Sequence, residues 1–169
     1  MEGLEKILET VDLSEKDINR AIYIGINRTL TQIQRQLLRE TSLDKKIPLK
    51  ILKKRAKRHL ATAKRPAASI SVISTDVPVI VLNPKQNSKG VSYRGGRIKG
   101  GFINKGKNSE KEQVFKRKGR ARLPIERQTV EIDDELKTNL AALQIQVNRR
   151  LEVNIINQLK RLSGAFDAS

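Results

Sequence analysis

Most residues of this chain with the chemistry to bind or react are cations, and they are not spread evenly. From Lys45 to Arg127 there are 24 Lys and Arg against four acids, Asp76, Glu110, Glu112 and Glu126. The flanks share the other 11 basic and 14 acidic residues, within a whole-chain charge of +17. Positive charge confined in this way weakens a compact state by self-repulsion unless a polyanion neutralises it. Two stretches are the candidate contacts for nucleic acid or an acidic partner. One is Lys50, Lys53, Lys54, Arg55, Lys57 and Arg58, on a helix expected over 47–60. The other is Arg94, Arg97, Lys99, Lys105 and Lys107, on an extended basic arm expected over 85–122. A helix with one basic side can lie along phosphates, and so can a flexible basic hairpin. No helix-turn-helix pair, zinc ligand set or heptad-dimerised basic helix accompanies them. Tyr93, Phe102 and Phe115 fall on different segments and make no base-stacking platform. Contact with duplex DNA is therefore expected through the backbone, without sequence reading. The plainer readings are a highly charged soluble surface and an exposed amphipathic helix face.

Reactive constellations are weak by comparison. Gly101-Phe102-Ile103-Asn104-Lys105-Gly106-Lys107-Asn108 comes near the G-x-x-x-x-G-K-[ST] phosphate loop, but Asn108 stands where the magnesium-binding hydroxyl belongs. No apolar strand ending in a metal-binding Asp follows. His59 is the single histidine, it has no acid near it in sequence, and the chain has no Cys. A metal site thus lacks ligands, and His59 reads as a surface or phosphate contact. The absence of Cys fits a reducing cytoplasm. The serines of 69–74 lie on a strand pattern with neither G-x-S-x-G nor a second His. No enzyme activity, cofactor or metal is expected.

The elements that must position these residues can be read from periodicity. Leu4, Ile7, Leu8 and Val11 give a short amphipathic N-terminal segment over 1–12, without the basic start of a secretory signal. Ser14 caps a long helix, with Asp17 in a capping-box position. Ile18, Ile22, Ile26, Leu30, Ile33, Leu37 and Leu38 form its stripe, and Arg20, Arg28, Arg35 and Arg39 lie off it. Thr41 to Asp44 ends it. The helix over 47–60 has Pro48 in its first turn and Ile47, Ile51 and Leu52 inward. Strands are expected at 68–75, 79–82, 91–94, 97–104, 114–118 and 120–125, with a loop at 83–90 and a hairpin turn at Gly95-Gly96. Pro124 belongs at a strand edge or end. Asp133 and Asp134 cap a C-terminal helix with Leu136, Leu140, Leu143, Val147, Leu151, Ile155, Leu159 and Leu162 on its stripe. Ile145 and Ile156 broaden that stripe, and Gly164 stops the helix. The stripe is read as core against the first helix, or as a subunit contact. Nothing approaches the run of about 18 apolar residues that spans a membrane. The expected fold is a single α+β domain over 1–169: two long helices and a short basic helix packed on a small antiparallel sheet with an extended basic hairpin arm.

From Ala21 to Ile125 the chain resembles the minor tail protein Z family of tailed bacteriophages and prophages, a group of tail-completion proteins. The resemblance rests on Asn27-Arg28-Thr29, on Arg39-Glu40-Thr41 and on Lys53-Lys54-Arg55-Ala56. It continues through Lys89-Gly90-Val91-Ser92, Gly95-Gly96-Arg97, Gly100-Gly101-Phe102-Ile103, Val114-Phe115-Lys116-Arg117 with Gly119, and Arg122-Leu123-Pro124-Ile125. After that segment the chain departs from the family's Gly-Pro-Ser-Val-like stretch and reads Glu126-Arg127-Gln128-Thr129-Val130.

The resemblance implies a virion structural protein at the head-proximal end of the tail, assembled in the host cytoplasm and joining the tail to the neck. It implies as partners the tail terminator, tail tube and connector, with genomic DNA in the channel and no membrane. It implies a homo-oligomeric ring, and sixfold symmetry is the expectation carried over from tails. Closed rings need two complementary surfaces on each subunit. Gly100, Gly101, Phe102, Phe115, Arg122, Leu123 and Pro124 are the candidate subunit interface. Two rival readings share the charge: a free-standing sequence-independent DNA- or RNA-binding protein, such as a ribosome-associated factor, and an enzyme such as a nuclease.

Overall fold

The computed structural model describes residues 13–106 and 109–164. The amphipathic segment 1–12 and Lys107 lie outside them. The architecture is mixed α+β, as expected. Among the described residues three helices, α1 (Glu15–Asp44), α2 (Leu49–Arg55) and α3 (Asp133–Leu162), accompany ten short strands. The strands are β1 (Ala56–His59), β2 (Ser69–Val72), β3 (Val77–Pro78), β4 (Lys85–Asn87), β5 (Gly90–Tyr93), β6 (Gly96–Lys99), β7 (Gly101–Lys105), β8 (Glu112–Arg117), β9 (Ile125–Arg127) and β10 (Thr129–Val130). They do not form the one small sheet expected. They divide into four antiparallel sheets: β1-β2, β10-β3, β4-β5-β6 and β7-β8-β9. The chain clusters into two compact units. A helical unit draws its described residues from Met1–Leu38, Arg55–Ile73 and Thr138–Ser169, and a β unit from Arg39–Lys54 and Ser74–Lys137.

In the helical unit the start of α1 follows from its cap. The Asp17 N–H donates to Ser14 Oγ at 3.2 Å, and Ser14 Oγ donates to Asp17 Oδ2 at 2.5 Å. This satisfies a helix-end donor that has no intrahelical partner. Ala21 is then buried with Ile155 and Leu159 of α3, and Leu13, Ile18, Ile22, Leu151 and Leu162 pack around them. The helices approach closely at Gly25. A Cβ there would lie 2.6 Å from Ile155 Cγ1 and 3.0 Å from the Ile155 backbone. Beside this contact runs a polar chain: Asn154 Nδ2 donates to Thr29 Oγ1 at 2.9 Å and to Gln32 Oε1 at 3.1 Å. Thr29 Oγ1 in turn donates to the Gly25 carbonyl at 2.9 Å. Buried polar atoms are costly when unpaired, so these bonds fix the register of the two helices. Farther along, Arg150 Nη2 donates to Gln36 Oε1 at 2.6 Å.

Asn27 anchors the segment after β1. Its Nδ2 donates to the Ala61 carbonyl at 2.9 Å, and its Oδ1 accepts the Ala61 N–H at 2.8 Å. A side-chain amide thus completes both backbone groups of a buried residue, as a neighbouring strand would.

The β unit has a separate core of Val79, Val91 and Val114, with Ile80, Tyr93, Ile98, Ile103 and Val130 packed on it. Segment 85–122 therefore supplies two of its three buried valines. Gly90 (φ 129°) is forced by the hairpin, since a Cβ would lie 2.2 Å from the Ile98 carbonyl oxygen. Where the sequence leaves the family pattern, Glu126–Val130 passes from β9 to β10. The Gln128 N–H donates to the Val114 carbonyl at 2.8 Å, and the Gln128 carbonyl accepts from the Val79 N–H at 3.1 Å. At the start of α3 the Lys137 ammonium and the Ser74 hydroxyl hydrogen-bond Asp133, holding its carboxyl below the ordinary carboxylate range. Lys45 Nζ reaches Glu135 Oε2 at 2.6 Å.

Several element expectations need correction. The helix expected over 47–60 stops at Arg55, and 56–59 is strand β1. Its apolar spacing ends with Leu52, and the alternating Ser-Ile-Ser-Val of β2 offers a partner strand instead, from Ala56↔Val72 to His59↔Ser69. Val79–Leu82 is a 3₁₀ turn rather than a strand; it buries Val79 and Leu82, three apart, and ends at Asn83 with φ 53°. The stretch 97–104 breaks into β6 and β7 at Gly100, whose φ is 67°. Lys85–Asn87, read as loop, pairs with β5. The hairpin turn falls on Arg94-Gly95, because Gly96 already pairs with Tyr93. Of 120–125 only Ile125 enters a strand, with Pro124 just before it. Asp133 and Asp134 occupy the first turn of α3, where acids suit the helix dipole, and Ile132 holds the cap position. Ile145 does not pack; it is 85% exposed.

Three substitutions test this framework. Helix propensity alone favours Gly25→Ala by about 1 kcal/mol. Overpacking against Ile155 reverses the sign, for a loss of about 1–3 kcal/mol in urea unfolding. Gly119→Ala, with open space around it, should stay within about 0.5 kcal/mol of the parent. Asn27→Ala should cost about 1–3 kcal/mol by stranding the Ala61 N–H and carbonyl. It should also speed amide exchange at Ala61, and unaltered exchange there would show that the clamp is not made.

Candidate nucleic-acid interface

Asn27, Arg28 and Thr29 are consecutive on α1, and a helix turns 100° per residue, so they face three directions. Asn27 faces Ala61, and Thr29 faces α3. Arg28 opens onto a cleft of about 530 Å³ in the helical unit, and Arg35 and Arg58 open onto it too. Ile24, Asn27, Thr31, Gln32, Leu60 and Asn154 complete its lining, and no acid takes part. The position of Arg58 comes from β1. Its Nη1 donates to Thr31 Oγ1 at 2.8 Å, and Thr31 Oγ1 donates to the Asn27 carbonyl at 2.8 Å. One bond to a neutral hydroxyl leaves the other guanidinium donors of Arg58 to a ligand. Asn27 and Asn154 spend amide groups on Ala61 and on Thr29 and Gln32. The arginines are therefore the main ligand-facing groups. Their planar forks suit phosphate or carboxylate oxygens bidentately.

Of the residues expected to make contact, the cleft takes only Arg58. Lys50, Lys53 and Lys54 are exposed on α2, three and four apart and so on one face, and they belong to the β unit. Arg55, half-buried, ends that helix. Lys57 and Arg58 are neighbours in β1, so they point to opposite faces of the ribbon. The single basic helix face expected over 47–60 is thus divided by the change from helix to strand. His59 is exposed, with Nε2 at 3.4 Å from Ser71 Oγ.

In the β unit, Arg97 and Lys99 are exposed and two apart on β6, sharing a face, and Arg94 sits in the preceding turn. Lys105 lies opposite Glu112 across the β7-β8 ladder. The near-match to a phosphate loop dissolves, because Gly101–Lys105 is a strand.

The expected interface residues are placed as follows. Gly101 is buried, and Gly100 is an exposed turn. Phe102 and Phe115 pair directly across strands with ring centroids 6.1 Å apart. Arg122, Leu123 and Pro124 are exposed, Leu123 at 67%.

Sequence reasoning missed Arg28 and Arg35 as site residues. Their signal was spacing rather than density. Arg28, Thr31, Gln32 and Arg35 fall at i, i+3, i+4 and i+7 on one helical face, with no acid on it.

Among the described residues no group of three or more His, Cys, Asp or Glu is arranged to hold a metal ion. No helix there is long and apolar enough to cross a membrane.

A relative, the tail completion protein of Escherichia phage N15, is 31% identical over 139 residues, covering 75% of each chain. No solved structure matches. The family described as prophage minor tail protein Z (GPZ) matches residues 1–163. With almost the whole chain covered, and with Asn27, Arg28 and Thr29 each given distinct work by the fold, this chain belongs to the prophage minor tail protein Z family.

Proposed function

We propose that this chain completes the head-proximal end of a bacteriophage tail and joins it to the neck, as a virion structural protein that presents cationic surface to the genome. Family membership and the tail-completion relative support the tail role. The observation that carries the DNA-facing part is the acid-free cleft of Arg28, Arg35 and Arg58. The two flanks of the chain are close to neutral, so solubility alone does not require the central excess. In this reading copies form a ring around the channel, with tail terminator, tail tube and connector as neighbours. The chain assembles in the host cytoplasm and stays in the virion. The role is structural, and turnover of a substrate has no part in it. The β unit carries cations of its own, Lys50, Lys53 and Lys54 on α2 and Arg94, Arg97 and Lys99 near β6. Backbone contact without base reading suits a genome that passes through whatever its sequence.

The tail role is tested by a prophage with an early stop codon in this gene. It should yield filled heads and tails that fail to join, with joining restored when the chain is supplied from a plasmid. Normal particles without the chain would end the proposal.

DNA contact is tested by salt. Each neutralised phosphate contributes about 0.9 to the slope of log affinity against log salt. Replacing Arg28, Arg35 and Arg58 together with Ala should therefore flatten the slope by about 2–3 for any duplex sequence. An unchanged slope removes the cleft from the DNA surface and gives it to acidic faces of neighbouring subunits.

A further inference from the structure

The helical unit carries a second concave surface whose chemistry is the reverse of the arginine cleft. It is a groove of about 340 Å³ between α1 and α3, walled by Ile26, Leu30 and Ile33 on one side and by Val147 and Leu151 on the other. The exposed Ala67 stands at its rim. No lining residue is charged. The surroundings continue the pattern, in a chain of which 31% of residues are charged. Residues 66–73 contain no charge, and neither do residues 138–148 of α3, most of which are exposed. Leu140, 49% exposed, lies seven residues before Val147 and so extends the same stripe.

The chain leaves the groove rim directly into β2, whose one strand partner is β1. The other edge of β2 has no strand among the described residues. Edge strands are ordinarily guarded by lysines or by an internal proline. Ser69–Val72 has neither.

The structure assigns this groove, with the open edge of β2, as the surface on which a neighbouring copy of the same chain docks. The identity of the occupant follows from charge. An anionic partner is served by the cationic surfaces and gains nothing from a neutral one. A second copy also carries +17, so two such chains repel on balance. Contact through surface stripped of charge keeps that repulsion low, and apolar burial then supplies the attraction. The strand edge adds directional hydrogen bonds and hence register. This inference rests on the reading of the chain as a repeated subunit, and it names the face used.

The test uses the opposite salt dependences of the two surfaces. Raising salt from about 0.1 M to about 1 M shortens the Debye length from about 10 Å to about 3 Å. It should weaken DNA binding and strengthen self-association, because only repulsion is screened. Sedimentation velocity of the full chain should show association rising at least about tenfold across that range. Ala67→Lys and Leu140→Lys should each abolish it. Ile145→Lys adds the same charge to α3 away from the groove stripe and should associate like the parent. Circular dichroism melting should be unchanged in all three, since the sites are exposed.

A chain monomeric at both salt concentrations overturns the inference. So does association that survives Ala67→Lys and Leu140→Lys, or that is lost in Ile145→Lys alone. Plasmid rescue of the stop-codon prophage separates the two readings. A monomeric chain that still completes tails fails the groove and spares the tail role. A chain that associates through the groove but rescues nothing does the reverse.

Discussion

Everything in the helical unit depends on α1 and α3 meeting at a point with no room for a side chain. A Cβ on Gly25 would lie 2.6 Å from Ile155 Cγ1 and 3.0 Å from the Ile155 backbone. Close approach lets Asn154 reach Thr29 and Gln32. That polar contact cannot slide by a turn without stranding buried donors, whereas an all-aliphatic contact between two long leucine- and isoleucine-rich stripes tolerates slippage more readily. The glycine gives up some local helix stability, and the interhelical register is what it provides.

With that register fixed, the rest of α1 falls into sectors. Taking 100° per residue, Ala21, Gly25 and Thr29 form the sector against α3. Ile26, Leu30 and Ile33 form the next, facing the uncharged groove. Asn27, Thr31, Arg35 and Arg28 form the remaining one, which holds β1 and the segment after it and opens onto the cleft. One helix therefore separates a cationic surface from a neutral one by rotation alone. The two surfaces suit different partners, because phosphate contact weakens with salt and apolar contact between like-charged bodies strengthens with it.

The sequence was most legible where periodicity is long and its ends are punctuated. Both long helices come out nearly to the residue, from the Ser14 cap to the Gly164 stop, since a repeat of three to four sustained over 30 residues has no strand reading. Short segments fared worse because distant partners decide them. Nothing local in Lys57-Arg58 says strand; their β2 partners Ser71 and Ile70, fourteen and twelve residues away, do. Val79–Leu82 is a run of apolar residues that fits strand and helix alike, and burial of positions three apart selects the 3₁₀ turn. The cleft was missed for a related reason. Charge density along the chain draws attention to 50–58, but a helix assembles Arg28 and Arg35 from seven residues apart, and a strand from elsewhere delivers Arg58.

Charge in this chain is therefore best understood by surface rather than by segment. The division of the basic run at Arg55 sends Lys50, Lys53 and Lys54 to the β unit and Lys57 and Arg58 to the helical unit. Within β1 the pleat then separates Lys57 from Arg58. Concentrating all six cations on one helix face would have stacked like charges at i, i+3 and i+4, which is destabilising. Breaking the run spreads them at lower repulsion, and Arg58 meets the neutral hydroxyl of Thr31 rather than a carboxylate. A guanidinium oriented by a hydroxyl keeps its full charge for an incoming anion, whereas one paired to an acid would have to break that pair first.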